Sequence, residues 1–169
     1  MNTIGTRENV HEQLVALLPR LRRFARNLVR NQDDADDVVQ MALERAIKNW
    51  AQWRSDARLD GWLFKIVRNA WIDEVRSRIR RNKVFVAEEA GENIGSDVME
   101  QATEAESVQW AMARLPEDQR MAVSLVLVEG LPYKEAAGVL EIPIGTLTSR
   151  LARGRAALQT LLEAEGKRR

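Results

Sequence analysis

The chain has 169 residues, of which 45% are apolar, and its 26 basic and 25 acidic residues give a net charge of +1. This composition excludes wholesale disorder, and no apolar run approaches the length of a membrane span. The absence of cysteine excludes disulfides and cysteine-ligated zinc, and the single histidine, His11, leaves little material for catalysis or a metal site. Because residues 1–7 also lack the pattern of a signal peptide, we expect a cytoplasmic protein without metal or other cofactors.

The first half of the chain predicts helices joined by short loops. Apolar residues recur at steps of three and four through residues 10–50, and the polar cluster at residues 31–34 predicts a turn and helix cap between two helices. Residues 51–61 are polar and predict a loop, after which the helical period resumes over residues 62–81. The residues expected to be buried are Leu14, Leu17, Leu18, Leu21, Phe24, Ala25, Leu28, Val38, Val39, Ala42, Leu43, Ala46, Ile47, Trp50, Leu63, Ile66, Val67, Ala70, Val75 and Ile79.

The second half begins after a break in the pattern. Residues 84–102 show no sustained period, and no Lys or Arg occurs between Lys83 and Arg114, so we expect a flexible acidic linker over residues 84–106. Four helices follow at residues 108–115, 117–128, 133–140 and 143–162, with prolines or glycine in their connections. No segment alternates as a strand would, which predicts an all-α protein of two small helical domains, at residues 8–83 and 107–165.

The last two predicted helices have the lengths of a helix-turn-helix. Pro143 suits a helix start, and one buried stripe then follows at helical spacing through Leu147, Leu151, Gly154, Leu158 and Leu161. The opposite face carries side chains that can approach base edges closely, flanked by arginines that can hold phosphates. An ordinary core helix with a solvated arginine face would show the same pattern. The face and its flanks comprise Thr148, Ser149, Ala152, Arg153, Arg150 and Arg155.

The segment GLPYKEAAGVLEIPIGTLTSRLARGRAAL, with LPEDQR before it, resembles region 4 of bacterial sigma factors of the extracytoplasmic-function (ECF) type. The resemblance implies that the helix-turn-helix enters the major groove at the minus-thirty-five promoter element and contacts the polymerase β flap. By position, Tyr133 and Lys134 are then expected near phosphates together with Arg150 and Arg155. Many family members carry Lys or Arg where this chain has Thr148, so its promoter preference should differ from theirs.

The segment DDADDVVQMALERAIKNW resembles sigma region 2.2, the helix that docks on the β′ clamp helices of core RNA polymerase. The alternative is a solvated acidic helix face. The family usually has an acidic residue where this chain has Met41. The residues expected to bind core polymerase are Asp36, Asp37, Gln40, Met41 and Glu44.

The segment WRSDARLDGWLFKIVRNAWIDEVRSRIRR resembles sigma regions 2.3 and 2.4, which recognise and open the minus-ten element. Unstacking a base costs a few kcal/mol, which a protein offsets by capturing the base in a pocket. Carboxylates and an amide can bind a base edge while arginines hold the backbone. Two roles are open for Trp53, Trp62 and Trp71: packing in the core, or stacking on bases. The residues expected at minus-ten DNA are Arg54, Asp56, Asp60, Lys65, Arg68, Asn69 and Arg76.

The sequence therefore predicts a sigma factor that is not an enzyme, since it contains no phosphate-binding loop, nucleophilic triad or metal cluster. The resemblance implies core RNA polymerase, promoter DNA and an anti-sigma factor as partners, and regulation in a stress or envelope response. Two alternatives stay open. One is a dimeric helix-turn-helix regulator, and the other is a sigma-like decoy that sequesters an anti-sigma factor.

Overall fold

A computed structural model describes residues 7–29, 31–54, 56–82 and 103–167. Within these ranges the chain is helical and contains no strand, as the all-α prediction requires. Residues 84–102 of the predicted acidic linker lie outside the described residues. The helices are α1 (Arg7–Leu28), α2 (Gln32–Lys48), α3 (Leu59–Asn82), α4 (Glu104–Arg114), α5 (Glu117–Val123, continued by a π-helical turn, Ser124–Val128), α6 (Tyr133–Leu140) and α7 (Ile144–Gly166), with a 3₁₀ turn at Trp50–Gln52.

Helices α1, α2 and α3 pack against one another as the first bundle. Phe24 of α1 and Phe64 of α3 are fully buried and meet edge to face, with ring centroids 5.1 Å apart. The predicted stripes are confirmed for most positions, because one face of each helix must be removed from water. Two predictions of burial were wrong: Ile47 is 66% exposed because it lies off the buried stripe of α2, beside the fully buried Ala46, and Ile79 is 52% exposed near the end of α3.

Helices α4 to α7 form the second bundle. The side chain of Thr103 and that of Glu106 reciprocally cap the backbone at the start of α4, which therefore begins at Glu104 rather than at residue 108. Pro143 is the N-cap of α7, and Leu147, Leu151 and Gly154 of the predicted stripe are buried. The second bundle thus holds α6 and α7 as a helix-turn-helix.

Helix α3 begins at Leu59, three residues before the predicted start. Asp60 and Gly61 suggested a loop, but the carboxylate of Asp60 accepts a hydrogen bond from the backbone N–H of Gly61 (2.8 Å) and satisfies part of the first turn. Gly61 is also close to the second bundle, since a Cβ placed there would lie 3.2 Å from Oε2 of Glu135. The two bundles pack together through α1 with α5 and α3 with α6, an arrangement for which the sequence offered no expectation.

Candidate functional site

The acidic face of α2 is available to a partner. Asn31 caps the helix by accepting a hydrogen bond from Asp33 N, which sets the register of the residues that follow. Asp36, Asp37, Gln40 and Glu44 are exposed, and Met41 is half-buried. No ion pair engages the Asp36, Asp37 or Glu44 carboxylates within the described part of the chain. All five predicted docking residues therefore lie on one helix as expected, and their polymerase contact stays a prediction.

A shallow groove between α2 and α3 contains an arginine that the sequence reasoning missed. Arg78 donates to both carboxylate oxygens of Asp34 (2.8 and 3.0 Å) and to Glu74 (2.9 Å). The hydrogen bonds from Arg78 hold the pKa of Asp34 below its ordinary value. Asp37, Gln40, Met41 and Glu44 line the same groove. The four-residue spacing of Glu74 and Arg78 was a visible signal of a helical ion pair, whereas the link to Asp34 had none.

The loop before α3 carries a self-paired arginine and a tryptophan cluster. Arg54 donates to Asp56 (3.0 and 3.2 Å), and these hydrogen bonds lower the pKa of Asp56. Trp53 lies 5.2 Å from Trp50, whose ring meets Trp62 edge to face at 5.9 Å. The three rings are half-buried, and the buried Nε1 of Trp53 has no hydrogen-bond partner among the described residues. Packing within the cluster accounts for Trp62, and the base-stacking role of Trp53 stays a prediction.

Asp60 was expected to accept hydrogen bonds from an exposed base, but it is 8% exposed and already engaged. Arg58 and Arg20 donate to its carboxylate at 2.9 and 3.1 Å. Burial raises the pKa of Asp60, but the hydrogen bonds from Arg58, the Gly61 N–H and Arg20 outweigh it, so the pKa lies below its ordinary value. In this arrangement Asp60 joins α3 to α1, and a contact with DNA would require those arginines to move.

The predicted minus-ten face of α3 is partly occupied by the second bundle. Lys65 and Arg68 each lie 3.3 Å from the carboxylate of Glu141, in the turn between α6 and α7. Asn69 is half-buried and Arg76 is exposed. The structure therefore places Lys65, Arg68 and Asn69 on neighbouring positions of one helix, with the two cations facing a carboxylate from the same chain.

The predicted base-reading face of α7 is open. Thr148, Ser149, Ala152 and Arg153 are exposed. Two of these side chains fold back on the helix, because Thr148 Oγ1 donates to Ile144 O (2.9 Å) and Arg153 Nε donates to Ser149 O (3.3 Å). The remaining residues of the predicted set are Tyr133, Lys134 and Arg155, which are exposed, and Arg150, which is half-buried and pairs with Asp118 at 3.4 Å.

A second group that the sequence reasoning missed joins α1 to the end of the π-helical turn. Glu129 has a fully buried side chain and accepts hydrogen bonds from Arg23 (2.7 and 2.8 Å) and Arg20 (3.2 Å). Arg20 also donates to the Glu129 backbone carbonyl (2.7 Å), and Asn27 donates to Ser124 Oγ (2.9 Å). These residues are about a hundred positions apart, so no sequence pattern pointed to them.

Two family models match the two bundles separately. Residues 14–68 match the Sigma2 domain of PhyR, and residues 105–158 match sigma-70 region 4. The fold and the two family matches together define a DNA-binding protein composed of a sigma region 2 bundle and a region 4 helix-turn-helix.

Individual relatives match nearly the whole chain. The chain is 34% identical over 164 residues to the ECF RNA polymerase sigma factor EcfG of Rhodopseudomonas palustris, covering 94% of this chain and 88% of that protein. It is 37% identical to the sigma factor SigM of Mycobacterium tuberculosis over 84% of this chain and 71% of SigM. The structure of the sigma factor RpoE bound to the anti-sigma factor NepR, from Bartonella quintana, superimposes with a TM-score of 0.77 at 31% identity, over 92% of this chain and 98% of RpoE. The chain belongs to the ECF RNA polymerase sigma factors.

Proposed function

We propose that this sigma factor binds core RNA polymerase through the exposed face of α2 and grips a promoter at two points, one on each bundle. The observation that carries the proposal is the pairing, in one chain, of free carboxylates on α2 with an exposed hydroxyl, methyl and arginine surface on α7. The first surface suits a basic protein partner and the second suits a major groove. A dimeric helix-turn-helix regulator would need only the second.

On α2, Asp37 and Glu44 are the residues with the clearest role. Their carboxylates are exposed and have no ion-pair partner among the described residues, so a cationic side chain of the β′ clamp helices can reach them without displacing an internal partner. Asp34 is different, because Arg78 already neutralises it. Gln40 and Met41 supply a hydrogen-bonding and an apolar contact between the charges.

On α7, Thr148, Ser149, Ala152 and Arg153 read base edges at the minus-thirty-five element, while Tyr133, Lys134, Arg150 and Arg155 lie at or near phosphates. Arg153 is the only long donor of the base-reading set, so it supplies most of the hydrogen-bonding reach, whereas the hydroxyls and the methyl allow close approach. Arg150 must exchange Asp118 for a phosphate when DNA binds.

On the first bundle, the residues that act at the minus-ten element are Arg54, Asp56, Lys65, Arg68, Asn69 and Arg76. Asp60 can join them only when Arg58 and Arg20 release its carboxylate. Asn69 supports base capture and the cations hold the strand. Among the described residues, no helix is long and apolar enough to cross a membrane. We propose that the protein acts in the cytoplasm with the polymerase, has no catalytic activity of its own and serves a stress response. We also propose control by an anti-sigma factor, because the relative RpoE is found in complex with the anti-sigma factor NepR.

Footprinting with and without core polymerase tests this function. Promoter fragments should be protected at two sites only when core enzyme is present, because each bundle alone offers a small surface and the polymerase sets their spacing. Arg153→Ala should abolish the minus-thirty-five protection while core binding survives. Gln159→Ala, at an exposed position of the same helix six residues beyond Arg153, is the matched control. Protection of a palindrome by the isolated protein would overturn the proposal in favour of a dimeric regulator.

A further inference from the structure

The turn between α6 and α7 holds a glutamate in a backbone conformation that favours glycine. Glu141 has φ 55° and ψ 42°, and it is the only non-glycine residue with positive φ among the described residues. Its N–H reaches the carbonyls of Ala137 and Gly138, so it closes α6 as a left-handed C-cap. Glycine adopts this conformation without steric cost, whereas an L side chain does not. A strained residue of this kind calls for a role of its side chain.

The side chain of Glu141 leaves its own bundle. Its carboxylate lies 3.3 Å from Lys65 Nζ and 3.3 Å from Arg68 Nη1, both on α3 of the first bundle. Hydrogen bonds from Lys65 and then Arg68 keep the pKa of Glu141 below its ordinary value, so it is an anion at neutral pH. Glu141 thus offers α3 a negatively charged oxygen pair at the place where a DNA phosphate would meet the same two cations.

A second acidic residue anchors the same arrangement. Glu129 is held by Arg20 and Arg23 with its side chain fully buried, so separating the bundles would expose it and break both ion pairs. Four hydrogen bonds from Arg20 and Arg23 to Glu129 make this contact the more extensive of the two between the bundles. The Glu141 contact is exposed, and an exposed ion pair contributes little. The closed form, in which the two bundles pack together, is therefore held mainly at Glu129, and Glu141 adds the weaker contact.

We propose that Glu141 is an internal competitor for minus-ten DNA: its carboxylate occupies Lys65 and Arg68 while Glu129 holds the two bundles closed. The proposal rests on the proposed function, in which these two cations hold the minus-ten strand. In the closed form the α2 docking face and the α7 face stay exposed, so the chain can bind core polymerase before α3 can bind DNA. Separation of the bundles on the polymerase then frees Lys65 and Arg68.

The absence of cysteine makes the closed form directly measurable. Ala16→Cys and Ala164→Cys place two dyes on exposed positions, one on each bundle, for single-molecule energy transfer on the full chain. Glu141→Gln removes the charge and keeps the side-chain length, and Glu141→Gly also removes the backbone strain. Asp73→Asn is the control, because it breaks an exposed ion pair with Arg45 (2.7 Å) that lies wholly within the first bundle.

Both Glu141 variants should lower the ratio of closed to open molecules about two- to fivefold, the effect of losing an exposed ion pair. Glu141→Gly should at the same time raise the melting temperature by a few degrees, because glycine suits the left-handed cap. If Glu141 only shaped the turn, Glu141→Gly would raise the melting temperature and neither variant would lower the ratio of closed to open molecules. Asp73→Asn should leave the closed fraction unchanged.

The second readout uses a fluorescent single-stranded oligonucleotide of mixed sequence as a probe of the backbone-binding cations. Its affinity should rise by the same two- to fivefold in the Glu141 variants and not in Asp73→Asn. An unchanged closed fraction in both Glu141 variants would overturn the proposal. A lower closed fraction without a gain in oligonucleotide affinity would overturn the competition with DNA. Neither result depends on whether wild-type protein directs initiation with core enzyme, so failure of the proposed function remains a separate result.

Discussion

Gly154 sets how closely α7 approaches α5, so Gly154→Ala is a direct test of how α7 is positioned. A Cβ at this position would lie 2.7 Å from Val123 Cγ2 and 3.3 Å from the backbone carbonyl oxygen of Gln119. Val123 is 1% exposed, so its methyl group is enclosed by the core and has little room to retreat. The two helices must therefore separate, or Val123 must leave its preferred rotamer.

Two effects of opposite sign determine the free energy of unfolding. Alanine in place of glycine inside a helix stabilises by about 0.5–1 kcal/mol. Overpacking a closely packed core destabilises by about 1–3 kcal/mol. The steric effect is the larger one here, because one contact is shorter than real Cβ atoms adopt and the other involves backbone. We expect a net destabilisation of about 1 kcal/mol, and at most about 2.5 kcal/mol.

Urea unfolding followed by circular dichroism measures this difference, and Gly138→Ala is the matched control. Gly138 lies in α6, and a Cβ there would have no atom within 4 Å. The control should gain up to about 1 kcal/mol from helix propensity alone. Equal stabilisation of both variants would refute the reasoning, since it would mean that α7 does not need a glycine to reach α5.

Three further predictions follow from individual contacts. Asp37→Lys should weaken core polymerase binding about tenfold. Because the Asp37 carboxylate is exposed, the free energy of unfolding should change by no more than about 0.5 kcal/mol. Glu12→Lys on α1 is the charge-matched control, and an equal loss of binding in both variants would contradict the placement of the docking face. Thr103→Ala should lower the free energy of unfolding in urea by about 0.5–2 kcal/mol, because α4 loses its capping box. Thr160→Ala, inside α7, should be nearly neutral, and equal effects of the two substitutions would contradict the cap. The pKa of Glu141 is lowered in the closed form, so the contribution of Glu141 to closure is present above its ordinary pKa near 4.5 and is lost as the pH falls through the lower value. Energy transfer between the bundles should therefore be constant from pH 7 to 5 and fall below pH 4.5. A constant value down to pH 3 would contradict the contact.

The helix-turn-helix could be predicted from sequence because its determinants are local. Leu147, Leu151 and Gly154 repeat with the helical period, and Pro143 marks the start of α7, so periodicity and turn chemistry agree. The early start of α4 also had a local signal that was missed, since Thr103 and Glu106 have the spacing of a capping box.

The packing of the two bundles could not be predicted in the same way. The ion pairs of Glu129 join residues more than a hundred positions apart, and an arginine in a basic run has the same sequence appearance whether it meets a carboxylate or a phosphate. Arg20 and Arg23 belong to a run of arginines at residues 20–30, which does not indicate a carboxylate partner, and Asp60 was expected only to accept hydrogen bonds from a base. Ile47 and Ile79 show the same limit, because the sequence does not indicate where a neighbouring helix stops covering an apolar side chain; Ile47 is exposed although the adjacent Ala46 is fully buried.

Run-off transcription with purified core RNA polymerase tests the central claim most directly. Core enzyme with this chain should initiate at a small set of genomic promoter fragments that core enzyme alone leaves silent, and Arg153→Ala should remove that initiation while still binding core. Failure of the wild-type chain to initiate at any fragment, with core binding intact, would contradict the account and favour a sigma-like decoy.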